Sequence, residues 1–447
     1  MKISVSTVKW LERLAPTGGM VRAALLLGSA TAATQAIAVL LAPVYARLYT
    51  PADYGVFSVF NSIIATALTI GCLCYETGIP VCEDDHEAVG LTTLSAVLVF
   101  LIGLGAAAVL GARALLGVQG NGYQLGWYLW LVPVGIVGAG VYRALSYWAL
   151  RRKNMGAIAR TAGSQLISST AINMGFGVLS PSPLGLILAG IAGYSSGVWG
   201  LARRTELLSC VKTVSRKPQF GRLLWTLAKK YQRLPLIAAP STLFNSLGLY
   251  LPGILMAPYF GADFAGQFFM GMKIVSLPVG LIGGALSQVF LSSAAAVARE
   301  RPHEMARFFH RVFVRGAACS LLIPLVGLVA PWVVPFALGE KWRPAGEIVL
   351  WLSLYNAVGL TVSSLSVIPN IVGRLQGQFV IDVARALAVF LLLSLGHRAG
   401  LSGMAVVKGY TLVMIVNYLA CYWLYGHQVK QVARTGLTAW NEPTASP

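Results

Sequence analysis

Long apolar stretches separated by short polar breaks dominate the chain. Crossing the hydrocarbon core of a bilayer takes about 20 mostly apolar residues in an α-helix. Twelve windows supply such a stretch: 24–46, 55–78, 88–112, 126–149, 157–178, 183–202, 234–258, 265–292, 312–336, 346–368, 377–396 and 402–425. A helix satisfies its own backbone hydrogen bonds, so these windows predict an all-α polytopic membrane protein of about 12 transmembrane helices. Prolines fall inside several of them (Pro43, Pro240, Pro252, Pro278, Pro324 and Pro331), where each either kinks a helix or opens it toward a cavity.

The longest polar interruption splits the windows six and six. The expected organisation is an N-terminal six-helix bundle over 1–202, a basic cytoplasmic linker over 203–233, a C-terminal six-helix bundle over 234–425 and a tail over 426–447. An internal echo supports a duplication. VLLAPVYARLYTPADYGVFSVFNSI (39–63) aligns with YLPGILMAPYFGADFAGQFFMGMKI (250–274), with Leu40/Leu251, Ala46/Ala257, Gly55/Gly266, Phe57/Phe268 and Ile63/Ile274 identical. It pairs the first two spans with the seventh and eighth, as in duplicated transporters, and an even number of spans per half makes the repeat parallel.

Composition agrees, since 56% hydrophobic and 11% charged residues exceed what a soluble fold could cover with polar surface. The segment ALLLGSATAATQA resembles a signal peptide's apolar region and cleavage site. The apolar run continues through Ala46, however, behind a long basic stretch with Lys2, Lys9, Arg13 and Arg22, so an uncleaved span is expected. Within that stretch Val5, Val8, Trp10, Leu11 and Leu14 form an apolar face suited to lying on a membrane.

The formal charge of +19 raises nucleic-acid binding, and the placement of the charges excludes it. With the N-terminus inside, inward segments carry 23 of the 34 Lys and Arg residues, and outward segments carry five: Arg47, Arg113, Lys341, Arg343 and Arg398. This asymmetry places both termini in the cytoplasm, with the basic stretch 203–233 facing anionic headgroups. The six cysteines lie in or beside apolar runs and imply no disulfide framework. Cys72 and Cys74 point to opposite faces of a helix, so no metal site is expected. The five histidines are scattered and no nucleophile-elbow motif occurs, which argues against catalysis; no cofactor is expected.

Ionisable residues at bilayer depth are costly unless they face a cavity or a partner. Arg160 and Arg315 lie near cytoplasmic span ends, where a long side chain reaches the headgroups. Arg143, Lys273, Arg385 and Lys408 sit deeper and are candidate contacts for an anionic substrate such as a lipid pyrophosphate. Asp382, three residues before Arg385 on the same face, is positioned to neutralise it instead. Arg143 and Lys408 are close enough to span ends to snorkel. Glu76 either carries a coupling ion or begins the acidic loop Glu83, Asp84, Asp85, Glu87. Asn173, Asn245, Asn356, Asn417, Gln35, Gln165 and Gln288 read as interhelical hydrogen-bonding groups that also suit hydroxyl-rich cargo.

Several segments resemble one family, the Wzx-type flippases of lipid-linked oligosaccharides, in the polysaccharide-transporter branch of the MOP superfamily that also contains multidrug (MATE) and peptidoglycan-precursor exporters. The most specific is LLAPVYARLYTPADYGVFSVFNSI (40–63), followed by YETGIPVCEDDHEA; further matches are YWALRRKNMGAIART, RLPLIAAPSTLFNSLGLYLPGILMAPYFG, GQFFMGMKIVSLPVGLIGGALSQVF and LGEKWRPAGEIVLWLSLYN. The resemblance implies a MATE-like fold of two six-helix bundles with alternating access. It implies transport of an undecaprenyl-pyrophosphate-linked glycan from the cytoplasmic to the periplasmic leaflet of the bacterial inner membrane, for O-antigen or exopolysaccharide biosynthesis. Proton or sodium coupling, with Glu76 and Asp382 as candidates, and work alongside a polysaccharide polymerase and a chain-length regulator follow from the same likeness. Lumen-lining spans one, two, seven and eight in that family favour Arg47, Glu76 and Lys273. Relatives commonly place an arginine before the span-eight proline; Lys273 keeps the charge here without the bidentate fork. The rivals are another exporter of this fold, against which the cationic interior argues, and a membrane enzyme of polysaccharide assembly, which would carry a large periplasmic loop or an acidic cluster.

Overall fold

The computed structural model describes residues 34–116, 125–215, 220–300, 302–366, 368–369 and 376–435, without the side chains of Ser215 and of most residues in 281–302. The basic stretch before residue 34, Gln288 as a side chain, Arg374 and the tail beyond 435 fall outside that description.

Among the described residues every regular element is helical. The first half runs α1 (Thr34–Leu48), α2 (Pro51–Gly71), α3 (Asp85–Leu115), α4 (Val132–Arg151), α5 (Met155–Leu179), α6 (Pro183–Ser195) and α7 (Val198–Arg204). Two short helices, α8 (Leu207–Ser215) and α9 (Phe220–Lys230), lead to α10 (Ala239–Phe260), entered through one π-turn at Leu234–Ala238. The chain then continues through α11 (Ala262–Glu300), α12 (Met305–Ser320), α13 (Leu322–Leu338), α14 (Arg343–Ser363), α15 (Gln376–Arg398) and α16 (Gly403–Thr435). Nine helical runs among the described residues are long and apolar enough to cross a membrane, with α6 and α7 counted as one run and α12 and α13 as another. Of the other three apolar windows, 24–46 is described only from residue 34, where the shorter apolar helix α1 lies, and the remaining two correspond to α5 and α11.

Local chemistry sets the helix starts. Asp84 caps α3 by accepting from the Glu87 amide, and Asn154 caps α5 by accepting from that of Ala157. Ahead of α2, the Thr50 amide and hydroxyl donate to Asp53 Oδ2, and the Thr50 hydroxyl accepts from the Asp53 amide. This is a reciprocal cap, with Pro51 as the first helical residue, where its missing N–H costs nothing.

The chain forms two compact units. The first comprises Met1–Leu48, Ile63–Gly120 and Gly126–Pro240; the second comprises Tyr49–Ser62, Asn121–Leu125 and Ser241–Pro447. The continuous helix α2 therefore gives its opening turns to the second unit and its closing turns to the first.

In the first unit a core of Ile79, Leu91, Trp148, Leu201 and Leu227 is buried, and the Trp148 indole N–H donates to the Thr205 carbonyl at 3.1 Å. The basic segment that joins the sequence halves is part of this core. Leu227 of α9 fills the notch left by Gly90, Lys230 pairs with Glu87 at 2.6 Å, and the Tyr75 hydroxyl donates to the Ala228 carbonyl. In the second unit α13 and α14 approach closely where small residues permit it: Gly327 lies against Ser353, and Gly346 against the backbone of Ala330 and Pro331.

Candidate functional site

The two segments paired by the internal echo meet within the second unit, at the openings of α2 and α11. A β-carbon on Gly55 would collide with the Ala262 carbonyl, and one on Gly266 would collide with the Pro51 carbonyl. Pro51/Ala262 and Gly55/Gly266 are equivalent positions of the repeat, so the contact is reciprocal and the two backbones touch. A third glycine, Gly253 of α10, lies against Ser62 of α2.

Aromatic and polar groups frame this crossing. Tyr54 is 2% exposed and meets Tyr49 and Trp342 edge-on, with centroid separations of 6.3 and 5.4 Å. The Lys341 ammonium donates to the Tyr49 carbonyl at 2.7 Å. The Gln267 amide donates to the Lys341 carbonyl at 2.7 Å and accepts from the Ala345 amide at 3.1 Å. Thus TPADYG and LGEKWRP, nearly 300 residues apart, form one packed cluster. Lys273 follows Gly266 on α11, and its ammonium sits 6.0 Å from the centre of the Tyr54 ring. It is half-buried, and among the described residues no carboxylate forms an ion pair with it.

The other deep charges have partners. In the first unit Arg143 of α4 lies 2.9 Å from Glu76 and also donates to the Leu68 carbonyl. Glu76 sits in the 3-10 stretch Tyr75–Val81 and is fully buried. Among the described residues its Oε2 accepts no hydrogen bond, an arrangement that costs free energy unless a proton or cation joins it. In the second unit Arg385 and Asp382 of α15 pair at 3.1 Å and are 5% and 3% exposed. The Asp382 carboxylate also accepts from Gln378, and Arg385 reaches α10 to bond the carbonyl and the side chain of Asn245. Gly248 leaves the room through which the guanidinium passes.

Lys408 is exposed, with its ammonium 5.0 Å from the centre of the Trp351 ring, and Arg47 is exposed at the end of α1. Arg160 and Arg315 are exposed as well. The structure therefore joins Glu76 with Arg143, Asp382 with Arg385, and Lys273 with Tyr54. Tyr54 and Trp342 were not singled out by charge or spacing; the only sign of them was their position inside the two motif segments. Of the polar uncharged residues, Asn245, Gln165, Asn356 and Asn417 all donate to or accept from backbone or side chains at span depth.

Two solved structures share this arrangement of helices. A multidrug resistance MATE family transporter of the MOP superfamily, in an inward-facing conformation, superposes with a TM-score of 0.57 at 15% identity, over 90% of this chain and 96% of that one. A MOP superfamily transporter from Pyrococcus furiosus superposes with a TM-score of 0.51 at 15% identity, over 93% and 96%. The chain has the MOP-superfamily fold. Residues 168–347 match a family described as polysaccharide biosynthesis protein. Teichuronic acid biosynthesis protein TuaB of Bacillus subtilis (strain 168) is 26% identical over 196 residues, which is 42% of this chain and 39% of that protein's length.

Proposed function

We propose that this protein is a flippase. It carries an undecaprenyl-pyrophosphate-linked oligosaccharide from the cytoplasmic to the periplasmic leaflet of the bacterial inner membrane by alternating access, and hands it to a polymerase and chain-length regulator. The observation that carries this reading is Lys273, a half-buried cation without a carboxylate partner among the described residues, beside the α2/α11 crossing. An ammonium held in partly apolar surroundings is stabilised by an anion, and the pyrophosphate of a lipid-linked glycan supplies one.

Arg47, Arg143, Arg385 and Lys408 are further candidate contacts, ranked below Lys273 because Arg143 and Arg385 each already hold an acid and Lys408 is exposed. For the coupling proton or sodium ion, Glu76 ranks above Asp382. Among the described residues Glu76 keeps a carboxylate oxygen without a hydrogen bond, whereas Asp382 is engaged by Arg385 and Gln378.

Deletion of the gene followed by analysis of lipid-linked intermediates tests the reading. A flippase deletion accumulates complete, unpolymerised repeat units in the cytoplasmic leaflet. Truncated glycans would assign the protein to sugar assembly instead, and no accumulation at all would remove the polysaccharide substrate.

A further inference from the structure

The run Met305–Leu338 carries one exposed face whose chemistry changes along its length. On α12, Met305, Phe309, Gly316 and Ser320 are buried, while Arg307, His310, Arg311, Val314 and Arg315 are exposed. Three- and four-residue spacing puts the exposed set on one side of the helix. The same spacing extends that side through Leu321, Leu322, Leu325, Val329 and Trp332, which are between 52% and 74% exposed.

From Val314 to Trp332 this face is apolar apart from Arg315 and spans about 27 Å at a rise of ~1.5 Å per residue. A bilayer's hydrocarbon core is ~30 Å thick, so the apolar stretch faces acyl chains. Its height is thereby fixed: Arg315 lies at the boundary, and Arg311 and Arg307 stand one and two turns further out, at headgroup level. No carboxylate among the described residues forms an ion pair with any of the three.

We propose that Arg307, Arg311 and Arg315 form a ladder that binds the phosphodiesters of anionic glycerophospholipids in the leaflet at this end of the helix. A guanidinium presents a planar fork of donors that matches two phosphate oxygens. An anionic headgroup leaves its phosphate charge uncompensated, whereas a zwitterionic one carries its own ammonium, so the ladder selects the former. This surface is separate from the Lys273 region, and its occupant is membrane lipid rather than cargo.

The test uses the full-length protein in vesicles of phosphatidylcholine with and without phosphatidylglycerol, read by thermal unfolding and by native mass spectrometry of retained lipid. Phosphatidylglycerol is expected to raise the unfolding midpoint of the wild type and to be retained. In R307Q/R311Q/R315Q retention falls by more than about tenfold, since three basic groups near an anionic surface are removed together. R307K/R311K/R315K keeps most of the midpoint gain because it keeps the charge. Equal lipid retention by the wild type and the glutamine variant overturns the proposal. So does a wild type that gains nothing from phosphatidylglycerol, a result that stands even if the glutamine variant does not fold. A gain reproduced by inorganic phosphate with phosphatidylcholine would also overturn it, by making the ladder a soluble-anion site.

Discussion

Gly55 and Gly266 touch each other's helices reciprocally: each lies against the backbone carbonyl four residues before the other. Because these positions are equivalent in the internal repeat, α2 and α11 cross about a local pseudo-two-fold axis, and only the absence of a side chain allows the crossing.

Gly55→Ala and Gly266→Ala should therefore each force the helices apart. Overpacking of this kind costs roughly 1–3 kcal/mol, and the rigid backbone on the far side places these two toward the upper end. Thermal unfolding in detergent checks this, with Gly280→Ala as the control, since nothing lies within 4 Å of the β-carbon position at Gly280. Equal midpoints for all three variants would refute the close crossing.

Lys273→Ala is expected to abolish complementation of a deletion strain at normal membrane abundance, with Lys273→Arg restoring much of it. Arg160→Ala, which removes an exposed guanidinium near a span end, should leave complementation within about twofold of wild type. If the two alanine variants behave alike, Lys273 has no special part in binding cargo.

Arg385→Leu and Asp382→Leu should each destabilise the protein by about 3–5 kcal/mol, since either leaves one buried charge without its partner. The double variant should recover a large share of that loss, because an apolar pair needs no neutralisation. A double variant as unstable as the sum of the singles would show that Arg385 acts chiefly through Asn245 on α10 rather than through Asp382.

Glu76→Gln keeps the size of the buried side chain and removes its capacity to exchange a proton. Transport by the wild type in vesicles is expected to respond to an imposed proton or sodium gradient, and transport by Glu76→Gln to lose that response while still binding cargo. A variant that retains full gradient dependence would move the coupling group elsewhere.

The helical, membrane-spanning architecture was legible in the chain because a bilayer demands long uninterrupted apolar runs whatever the tertiary contacts. The start of α2 at Pro51 lies four residues ahead of the predicted window, although its signal is local: Thr50 and Asp53 build the cap within four residues. The repeat was visible as a faint echo, and the cations were visible as charges at span depth. Which of those charges are free and which are neutralised was decided only by the fold. Arg143 meets Glu76 from a different helix, and Arg385 is answered both by Asp382 one turn away and by Asn245 on α10. Likewise Gly55 reads as an ordinary small residue until α11 lies against it, and nothing in the chain order pairs Trp342 with Tyr54. Hydrophobic length is a property of one segment and survives in the sequence. Neutralisation and close approach belong to pairs of segments, and the chain order does not record who those partners are.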